Sequence, residues 1–294
     1  MIKLGTRRSA LATVQATYIA DALRSLGHEV ELVPIVTTGD VNRAPVEQIG
    51  GTGIFVSALR DALVAGEIDI AVHSLKDLPT APIEGLTLGA IPVREDPRDV
   101  LVARDGLTLG ELQTGALVGT GSARRQAQLE ALGLGLELTG IRGNVDTRIS
   151  MVADGKLDAV VLARAGLARL GRLDEITETL DPIQVLPCPG QGALGIECRS
   201  DDTAVLAALA PLEDPATRVA VTAERQLLAT LEAGCTAPVG ALAEVVEGED
   251  GPELWLRGAL GEDGGGVRRL SANGSVDDPA AVGRALAHEL LEQT

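Results

Sequence analysis

Aromatic side chains are nearly absent from this sequence, whose 294 residues include one Trp, one Tyr and one Phe. Proteins that bind single-stranded nucleic acids stack bases on aromatic rings, so the composition argues against that class. The net charge of −17 argues against general nucleic-acid binding as well, because phosphate contacts need a basic face. We therefore expect no nucleic-acid partner.

Cysteine and histidine are equally scarce. The chain has three of each, and the cysteines, Cys188, Cys198 and Cys235, are too few and too irregularly spaced for a disulfide framework. No CxxC or HxxxH pair is present, so the spacing does not match that of a zinc site. The sequence predicts an enzyme or binding protein without a metal centre.

Long apolar runs are missing too. No stretch approaches the roughly 18 apolar residues that a membrane span needs. The first residues, Met-Ile-Lys-Leu-Gly, run straight into a strand-like pattern, with no basic segment before an apolar one. We expect a cytoplasmic protein that has no contact with membranes.

What the sequence does contain is a strong alternation of strand-like and helical patterns, which is typical of α/β proteins. A chain of this length is long for a single core, so two or three domains are expected. Turn-rich breaks at residues 91–92 and 187–192 predict crossovers between domains. After Pro215 a long amphipathic helix, strand-like runs at 239–246 and 253–260 and a helix from Pro279 predict a small α+β domain.

Arginine clusters follow several of the predicted strands, and 11 of the 25 basic residues fall between residues 93 and 192. Residues 5–9, Gly-Thr-Arg-Arg-Ser, open a predicted helix with Ser9 as its N-cap. An anion site and an ordinary cap with solvated arginines explain this segment equally well. Residues 119–125, Gly-Thr-Gly-Ser-Ala-Arg-Arg, repeat the design.

The second cluster favours a bound anion more clearly than the first. The N-terminal end of a helix carries partial positive charge, which disfavours two arginines in the first turn. A nearby negative group should therefore compensate their charges. Residues 142–148 form a third cluster, and Arg164 with Arg169 a fourth. Several guanidinium forks facing one cleft suit a ligand with several carboxylates or phosphates.

Residues 73–77, His-Ser-Leu-Lys-Asp, are the best candidate for the reacting centre. Lys76 and Asp77 lie side by side at a predicted strand end, where a carboxylate can steady or move a proton on a cationic substrate. A structural ion pair explains the local sequence equally well. Residues 50–53, Gly-Gly-Thr-Gly, lack the lysine and spacing of a P-loop and are interpreted as a loop beside the substrate.

Cys235 follows the long helix, and its local setting does not suggest a reactive thiolate. The C-terminal end of a helix is partly negative, which would not lower the pKa of a thiol. A lone cysteine is more often a small buried hydrophobic residue. On physical grounds alone the structural interpretation is the stronger one.

Six segments together resemble successive motifs of the hydroxymethylbilane synthase (porphobilinogen deaminase) family, in the family's order and spacing. They are residues 5–12, 73–79, 119–126, 141–148, 189–199 and 232–235. The resemblance implies two α/β lobes like those of periplasmic binding proteins, plus a small α+β C-terminal domain. The implied boundaries are residues 1–92 with a return segment 193–210, residues 93–192, and residues 211–294.

The resemblance also implies a function: a transferase that joins four porphobilinogen molecules head to tail into hydroxymethylbilane, with release of ammonia. Cys235 would hold a covalent dipyrromethane cofactor through a thioether, which answers the objection about thiol pKa because the sulfur is alkylated once and then serves as a tether. Asp77 would be the catalytic carboxylate that assists ammonia loss and steadies positive pyrrole nitrogens. A monomer is implied.

The remaining functional positions are carried over in the same way. Each pyrrole ring bears an acetate and a propionate, whose carboxylates the arginines would bind. The implied cofactor contacts are Ser74, Lys76, Thr120, Ser122, Arg124 and Arg125, and the implied substrate contacts are Arg7, Ser9, Phe55, Arg142, Arg148 and Arg169. Arg8 and Arg164 match no family contact and receive no role.

One position departs from the family, and one other function stays open. Thr52 stands where many family members have a lysine, which puts a substrate or lid contact from that position in doubt. The alternative is a binding protein whose two lobes close on a small anion. That alternative predicts a secretory signal and gives Cys235 and the third domain nothing to do.

Overall fold

A computed structural model describes residues 1–36, 56–231, 238–249, 251–262 and 264–292. The chain forms two compact units, one of residues 1–95 with 193–218, the other of residues 96–192 with 219–294. Each unit is built around its own five-stranded mixed sheet, and the second also contains a three-stranded sheet. Within the described residues, no helix combines the length and apolarity that a membrane crossing requires.

The first unit has the sheet order β2-β1-β3-β10-β4. β1 pairs in parallel with β2 and β3, whereas β10 lies antiparallel between β3 and β4. The elements are β1 Ile2–Arg7, α1 Ala10–Ser25, β2 Val30–Ile35, α2 Ser57–Val64, β3 Ile70–Ser74, β4 Leu86–Ala90, β10 Leu194–Arg199 and α6 Thr203–Leu209. Helix α1 buries Ile19 and Leu23 against Leu4, Ile70 and Ile196, because apolar residues recur at helical spacing on its inner side.

The second unit repeats the spatial arrangement of strands, with the order β7-β6-β8-β5-β9, although its inserted antiparallel strand comes first along the chain and not last. β6 is parallel to β7 and β8, and β5 is antiparallel to both of its neighbours. The elements are β5 Asp99–Ala103, β6 Leu117–Gly119, α3 Ala123–Ala131, β7 Glu137–Thr139, α4 Val145–Ala153, β8 Ala159–Ala163, α5 Arg164–Arg169 and β9 Glu178–Thr179. β5 and β8 are apolar along almost their whole length, as strands covered on both faces must be.

The C-terminal part of the second unit is an antiparallel meander in the order β11-β12-β13, covered by two helices. Its strands are β11 Val239–Gly248, β12 Gly251–Gly261 and β13 Val267–Ser275, and the helices are α7 Pro215–Thr230 and α8 Pro279–Glu292. Leu227 of α7 and Leu286 and Leu290 of α8 pack on Leu254 and Leu256 of the central strand. This layer therefore has a hydrophobic core of its own.

The predicted fold class is confirmed, with two α/β lobes of similar strand arrangement and a small α+β layer. Sequence patterns did not predict β13, whose residues alternate only weakly and include Arg, Asn and Gly. An edge strand half open to solvent can form from such residues because its partner strand supplies the hydrogen bonds. The strand that precedes the third arginine cluster is short, since only Glu137–Thr139 pairs with β6.

Candidate active site

Two loops of the second unit meet just beyond the carboxyl ends of β6 and β7. The N–H of Thr120 donates to the carbonyl of Thr139 at 2.9 Å, and the N–H of Ile141 donates to the carbonyl of Thr120 at 3.3 Å. A Cβ on Gly121 would lie 2.6 Å from the oxygen of Ile141, closer than real contacts allow. Glycine at this position therefore lets the two loops approach, at the sheet edge where α/β proteins bind ligands.

The first of these loops opens helix α3 with two arginines in its first turn. The hydroxyl of Ser122 caps the helix and accepts the N–H of Arg125 at 3.5 Å. Arg124 and Arg125 are only 3% and 6% exposed, although both are charged and lie where the helix end is positive. Burial of two cations at this position requires a compensating negative charge.

Asp99, the first residue of β5, supplies a carboxylate to both arginines and is fully buried. Its two oxygens accept from Nη2 of Arg124 and Nη2 of Arg125, each at 2.7 Å, and Oδ1 also accepts from Nε2 of Gln191 at 2.8 Å. Burial alone would raise the pKa of Asp99, but the two guanidinium charges and these hydrogen bonds outweigh it and hold the pKa far below its usual range. Asp99 is therefore ionised at any physiological pH.

Each of the two arginines also donates to the main chain. Nη1 of Arg124 donates to the carbonyl of Leu186 at 2.6 Å, and Nη1 of Arg125 donates to the carbonyl of Val161 at 3.0 Å. The Nε of each is buried and has no hydrogen-bond partner among the described residues. Each guanidinium thus keeps a donor for a group that the described protein does not provide.

Arg148 adds a third cation to the same region. It lies one turn into α4, whose N-cap Asn144 accepts the N–H of Thr147 at 2.8 Å, and its Nε donates to the carbonyl of Gly143 at 2.9 Å. Burial lowers the pKa of Arg148, and the positive charges of Arg125 and Arg142 lower it further. Two of the three clusters that the sequence placed in the second lobe, residues 119–125 and 142–148, thus gather at one sheet edge.

The two arginines of the fourth cluster, Arg164 and Arg169, have different settings. Nη2 of Arg169 donates to the carbonyl of Gly192 at 2.6 Å, at the end of the Pro-Gly-Gln-Gly turn. Arg164, which received no role, lies 3.5 Å from a carboxylate oxygen of Asp96. Arg169 is therefore held beside the crossover segment, while Arg164 belongs to an ion pair with the protein itself.

In the first unit, Ser9 and Ser74 are held at the ends of β1 and β3. Ser9 is the N-cap of α1, with its hydroxyl accepting the N–H of Ala12 at 3.3 Å, and Arg7 is the last residue of β1. The hydroxyl of Ser74 bonds the side chain of the buried Gln15 on α1, with the Gln15 Nε2 at 2.9 Å. Gln15 was not predicted from the sequence, because a polar residue on an otherwise apolar helix face carries no motif.

Lys76 and Asp77 lie in the single 3-10 turn Leu75–Asp77 that follows β3 directly. The turn is anchored by Leu75, which is fully buried and whose N–H donates to the carbonyl of Ala193 at 3.0 Å. Lys76 is half-buried and Asp77 is exposed. A carboxylate on a short, anchored turn is both accessible to a ligand and fixed in place.

His73, the first residue of the same motif, points to the opposite face of β3. Its Nε2 lies 3.0 Å from Oε2 of Glu197 on β10, and Arg60 of α2 donates to the same carboxylate at 2.7 Å. Burial would raise the pKa of Glu197, but the hydrogen bonds and charges of His73 and Arg60 lower it. His73 is thus part of a buried ion network beneath the strand, separated from Ser74 by the alternation of side chains.

Phe55, Thr52 and Cys235 lie outside the described residues, so their predicted roles stay predictions. The described residues stop at 231 and resume at 238, on either side of Cys235 and between α7 and β11.

Asp99 was not predicted from the sequence, because only the fold brings it to Arg124 and Arg125. The one signal at Asp99 is a carboxylate opening an otherwise apolar strand.

Comparison with known families assigns both parts of the chain. Residues 2–207 match the model "Porphobilinogen deaminase, dipyromethane cofactor binding domain", and residues 218–292 match "Porphobilinogen deaminase, C-terminal domain". The chain belongs to the porphobilinogen deaminase family. The curated porphobilinogen deaminase of Mycobacteroides abscessus is 61% identical, over 99% of this chain and 97% of its own length. That of Nocardia farcinica is 60% identical, over 99% of this chain and 86% of its own length.

A third porphobilinogen deaminase, from Mycobacterium tuberculosis, is 59% identical over 99% of this chain and 96% of its own. Solved structures with lower similarity include a putative methionine-binding lipoprotein from Bacillus subtilis, with a TM-score of 0.44, 14% identity, and coverage of 72% of this chain and 89% of that one. A periplasmic substrate-binding protein of an ABC transporter from Coxiella burnetii has a TM-score of 0.44 and 15% identity, over 74% and 94%.

Proposed function

We propose that the chain joins four porphobilinogen molecules head to tail into hydroxymethylbilane, releasing ammonia, on a dipyrromethane cofactor tethered to Cys235. Family membership over both matched segments supports a transferase of tetrapyrrole biosynthesis. The observation that carries the proposal to this chain's own residues is the arginine cluster of the second lobe. Arg124, Arg125 and Arg148 are opposed by a single carboxylate, Asp99, among their described partners.

The residues present fit a cofactor rich in carboxylates. Three arginines against one aspartate leave two positive charges in a partly buried region, and two buried Nε–H groups have no partner in the described chain. A guanidinium binds a carboxylate through parallel hydrogen bonds, so acetate and propionate groups would satisfy these donors. When bound, the dipyrromethane supplies a pyrrole end to which the first porphobilinogen can be joined.

The roles assigned to single residues are part of the proposal. In the second lobe, Arg124, Arg125, Thr120 and Ser122 hold the cofactor, while Arg142, Arg148 and Arg169 bind substrate carboxylates. In the first lobe, Ser74 and Lys76 contribute to the cofactor site, while Arg7 and Ser9 contribute to the substrate site, as does Phe55. Support comes from the placement of the 119–125 and 142–148 segments at one sheet edge, from the hydrogen bond of Arg169 to Gly192, and from the anchored ends of β1 and β3.

Asp77 is proposed as the catalytic carboxylate. Loss of ammonia from an aminomethyl group and joining of pyrroles both pass through positive charge on pyrrole nitrogens. A fixed carboxylate stabilises such charge without having to reorganise during the reaction. The anchored turn Leu75–Asp77 and the exposure of Asp77 support this role.

The domain boundaries, compartment and oligomeric state are proposed together. We propose lobes of residues 1–92 with 193–210 and of residues 93–192, a C-terminal domain of residues 211–294, and a cytoplasmic monomer. The separate hydrophobic cores of the C-terminal layer and of the second lobe support a boundary between those two parts. Size measurement by light scattering tests the monomer.

The first experiment compares intact masses of the wild-type protein and of Cys235→Ser. The expected wild-type mass exceeds that of the bare chain by two linked pyrrole units, and the excess is absent from the variant. Cys188→Ser is the matched control and should keep the adduct. A wild-type protein that stays unmodified even after incubation with porphobilinogen would rule out the transferase.

The second experiment concerns turnover. Asp77→Ala should lower kcat by about 100- to 1000-fold, the scale of losing a group that stabilises charge in the transition state. Asp61→Asn, a change at another exposed carboxylate of the first lobe, should leave kcat near the wild-type value. Near-normal turnover by Asp77→Ala would refute the assigned role.

A further inference from the structure

Asp99 is the most deeply buried charged group in the second lobe, and no catalytic or binding role has been assigned to it so far. It has no exposed surface, and all three of its described side-chain partners are polar groups of residues that are themselves buried. A carboxylate in such a place costs free energy unless its partners are fixed around it. The question is what this arrangement does for the protein.

Stability alone is a weak reason for the cluster. Buried ion clusters can often be replaced by apolar residues of similar volume without loss of stability. This cluster is also unbalanced, because two buried arginines share one carboxylate and Arg148 adds further positive charge nearby. A purely structural cluster would be expected to reach neutrality with its own residues.

The geometry around Asp99 fixes the orientation of both guanidinium planes. Nη2 of each arginine is bound to Asp99 and Nη1 of each is bound to a main-chain carbonyl, so each plane is held at two of its three nitrogens. The carbonyl bound by Arg125 belongs to Val161, one residue beyond the last pair of β8 with β6. In both arginines the remaining nitrogen, Nε, is the one that is buried and without a described partner.

We propose that Asp99 is a positioning residue, which orients Arg124 and Arg125 so that their Nε edges receive carboxylates of the dipyrromethane cofactor. Gln191 assists by donating to Asp99 Oδ1 at 2.8 Å and to the carbonyl of Pro97 at 2.7 Å, which holds the carboxylate from the crossover side. The inference rests on the proposed function, because it takes Arg124 and Arg125 to be cofactor-binding residues.

Two consequences distinguish positioning from simple support of the fold. Loss of the Asp99 charge should slow cofactor assembly while the protein stays folded. The reason is that a misplaced binding group can cost about 100-fold in rate. It should also reduce the stabilisation that the tethered cofactor confers, because that stabilisation comes from contacts that the cofactor makes with the folded state and not with the unfolded chain. Both can be measured without assaying the loaded enzyme.

The test uses the full-length chain prepared without cofactor and then incubated with porphobilinogen. The rate of cofactor loading is followed by intact mass, and melting temperatures are compared before and after loading. For Asp99→Asn we expect loading about 10- to 100-fold slower and a smaller rise in melting temperature. Circular dichroism of the unloaded variant verifies that it is folded.

Glu224→Gln is the matched control in the same unit. Glu224 is another fully buried carboxylate, but its described hydrogen bonds go to the main-chain N–H groups of Gly190 and Ala243. This variant loses the same charge and should load within about 3-fold of the wild-type rate, because the described hydrogen bonds of Glu224 hold the main chain and do not orient Arg124 or Arg125. Equal slowing in both variants would overturn the inference.

Arg125→Ala separates the inference from the proposed function. If Arg125→Ala loads slowly while Asp99→Asn loads at the wild-type rate, the positioning role of Asp99 alone is refuted. If Arg125→Ala also loads at the wild-type rate, the cofactor-binding role of the arginines fails, and the inference fails with it.

Should Asp99→Asn not fold, Gln191→Met takes its place. That change removes one donor to Asp99 and keeps all charges of the cluster. We expect loading to slow by about 10-fold, the effect of losing one hydrogen bond to a charged group. An unchanged loading rate in this folded variant would overturn the inference.

Discussion

The buried ion network beneath β3 offers the sharpest test of how the first lobe is held together. Glu197 pairs with Arg60 at 2.7 Å and with His73 at 3.0 Å, and all three side chains are buried. Glu197→Gln removes the only acid of this group and leaves a buried guanidinium without a counter-charge. Breaking a buried pair in this way costs about 3–5 kcal/mol.

For a protein of this size that loss corresponds to a fall in melting temperature of roughly 6–20 °C. Calorimetry of the purified variant measures it. Asp21→Asn is the control, because Asp21 forms a 2.9 Å pair with Arg24 on an exposed helix face, where such pairs contribute less than about 1 kcal/mol. The apolar double variant Arg60→Met, Glu197→Leu should recover most of the loss, since the buried guanidinium that lacked a counter-charge is then absent.

The same variant makes a prediction about pH. Because the folded pKa of Glu197 is lowered, its contribution to stability is complete above the unfolded pKa of about 4.3 and is lost as pH falls through the lower folded value. The difference in melting temperature between wild type and Glu197→Gln should therefore shrink as pH falls from about 5 towards 3. A difference that stays constant over this interval, or a variant as stable as wild type at neutral pH, would refute the account of the network.

Three further predictions concern single positions. Gly121→Ala should destabilise the protein by about 1–3 kcal/mol through overpacking and should slow cofactor loading, since its Cβ would lie 2.6 Å from the oxygen of Ile141. Gly140→Ala is the control and should have neither effect, because a Cβ there has open space around it. Calorimetry measures the stability of each variant, and intact mass follows its loading. Burial raises the pKa of the Cys198 thiol to about 11. At pH 8 its alkylation by iodoacetamide should therefore be about 100-fold or more slower in the folded protein than in the unfolded chain. Equal alkylation rates in peptide mapping would contradict this. Ser9→Ala should cost about 1 kcal/mol in chemical unfolding through loss of the helix cap, with Ser9→Asn near wild type because asparagine also caps.

The arrangement of the second lobe bears on how one protein can bind a growing anionic chain. Arg124 and Arg125 are held by main-chain carbonyls and by the shared carboxylate of Asp99. The Nε of each has no described partner and is left for a ligand. A site with fixed donors loses little entropy when the ligand binds, which favours tight and specific binding. Asp99 and Gln191 serve this arrangement without needing to touch the ligand.

Local sequence was sufficient to predict most of the elements around the site. Strands β5 and β6 and the helices after residues 122 and 144 follow from apolar runs, glycines and capping residues, which act over a few neighbours in the chain. The pairs Arg124–Arg125 and Lys76–Asp77 were candidates because they lie at predicted strand ends. The electrostatic conflict of two arginines at a helix start was also readable, and it predicted that a negative charge must be near.

The identity of the compensating group was beyond local patterns. Asp99 lies 25 residues before Arg124, and Gln191 lies 92 residues after Asp99, so only the antiparallel insertion of β5 beside β8 brings them together. His73 was equally ambiguous, since its neighbours in the motif face the other side of β3 and its partner Glu197 comes from the return strand β10.

The sequence by itself determined the kinds of elements, the family and the residue types available at the strand ends, because propensity, capping and motif spacing are local properties. The tertiary structure decided which charges meet. Coulombic pairing in a buried site depends on distances of a few ångströms between residues far apart in the chain, and the burial of Asp99, Arg124 and Arg125 is a property of the packed lobe. For that reason Asp99, and not a ligand alone, emerged as the counter-charge of the arginine pair.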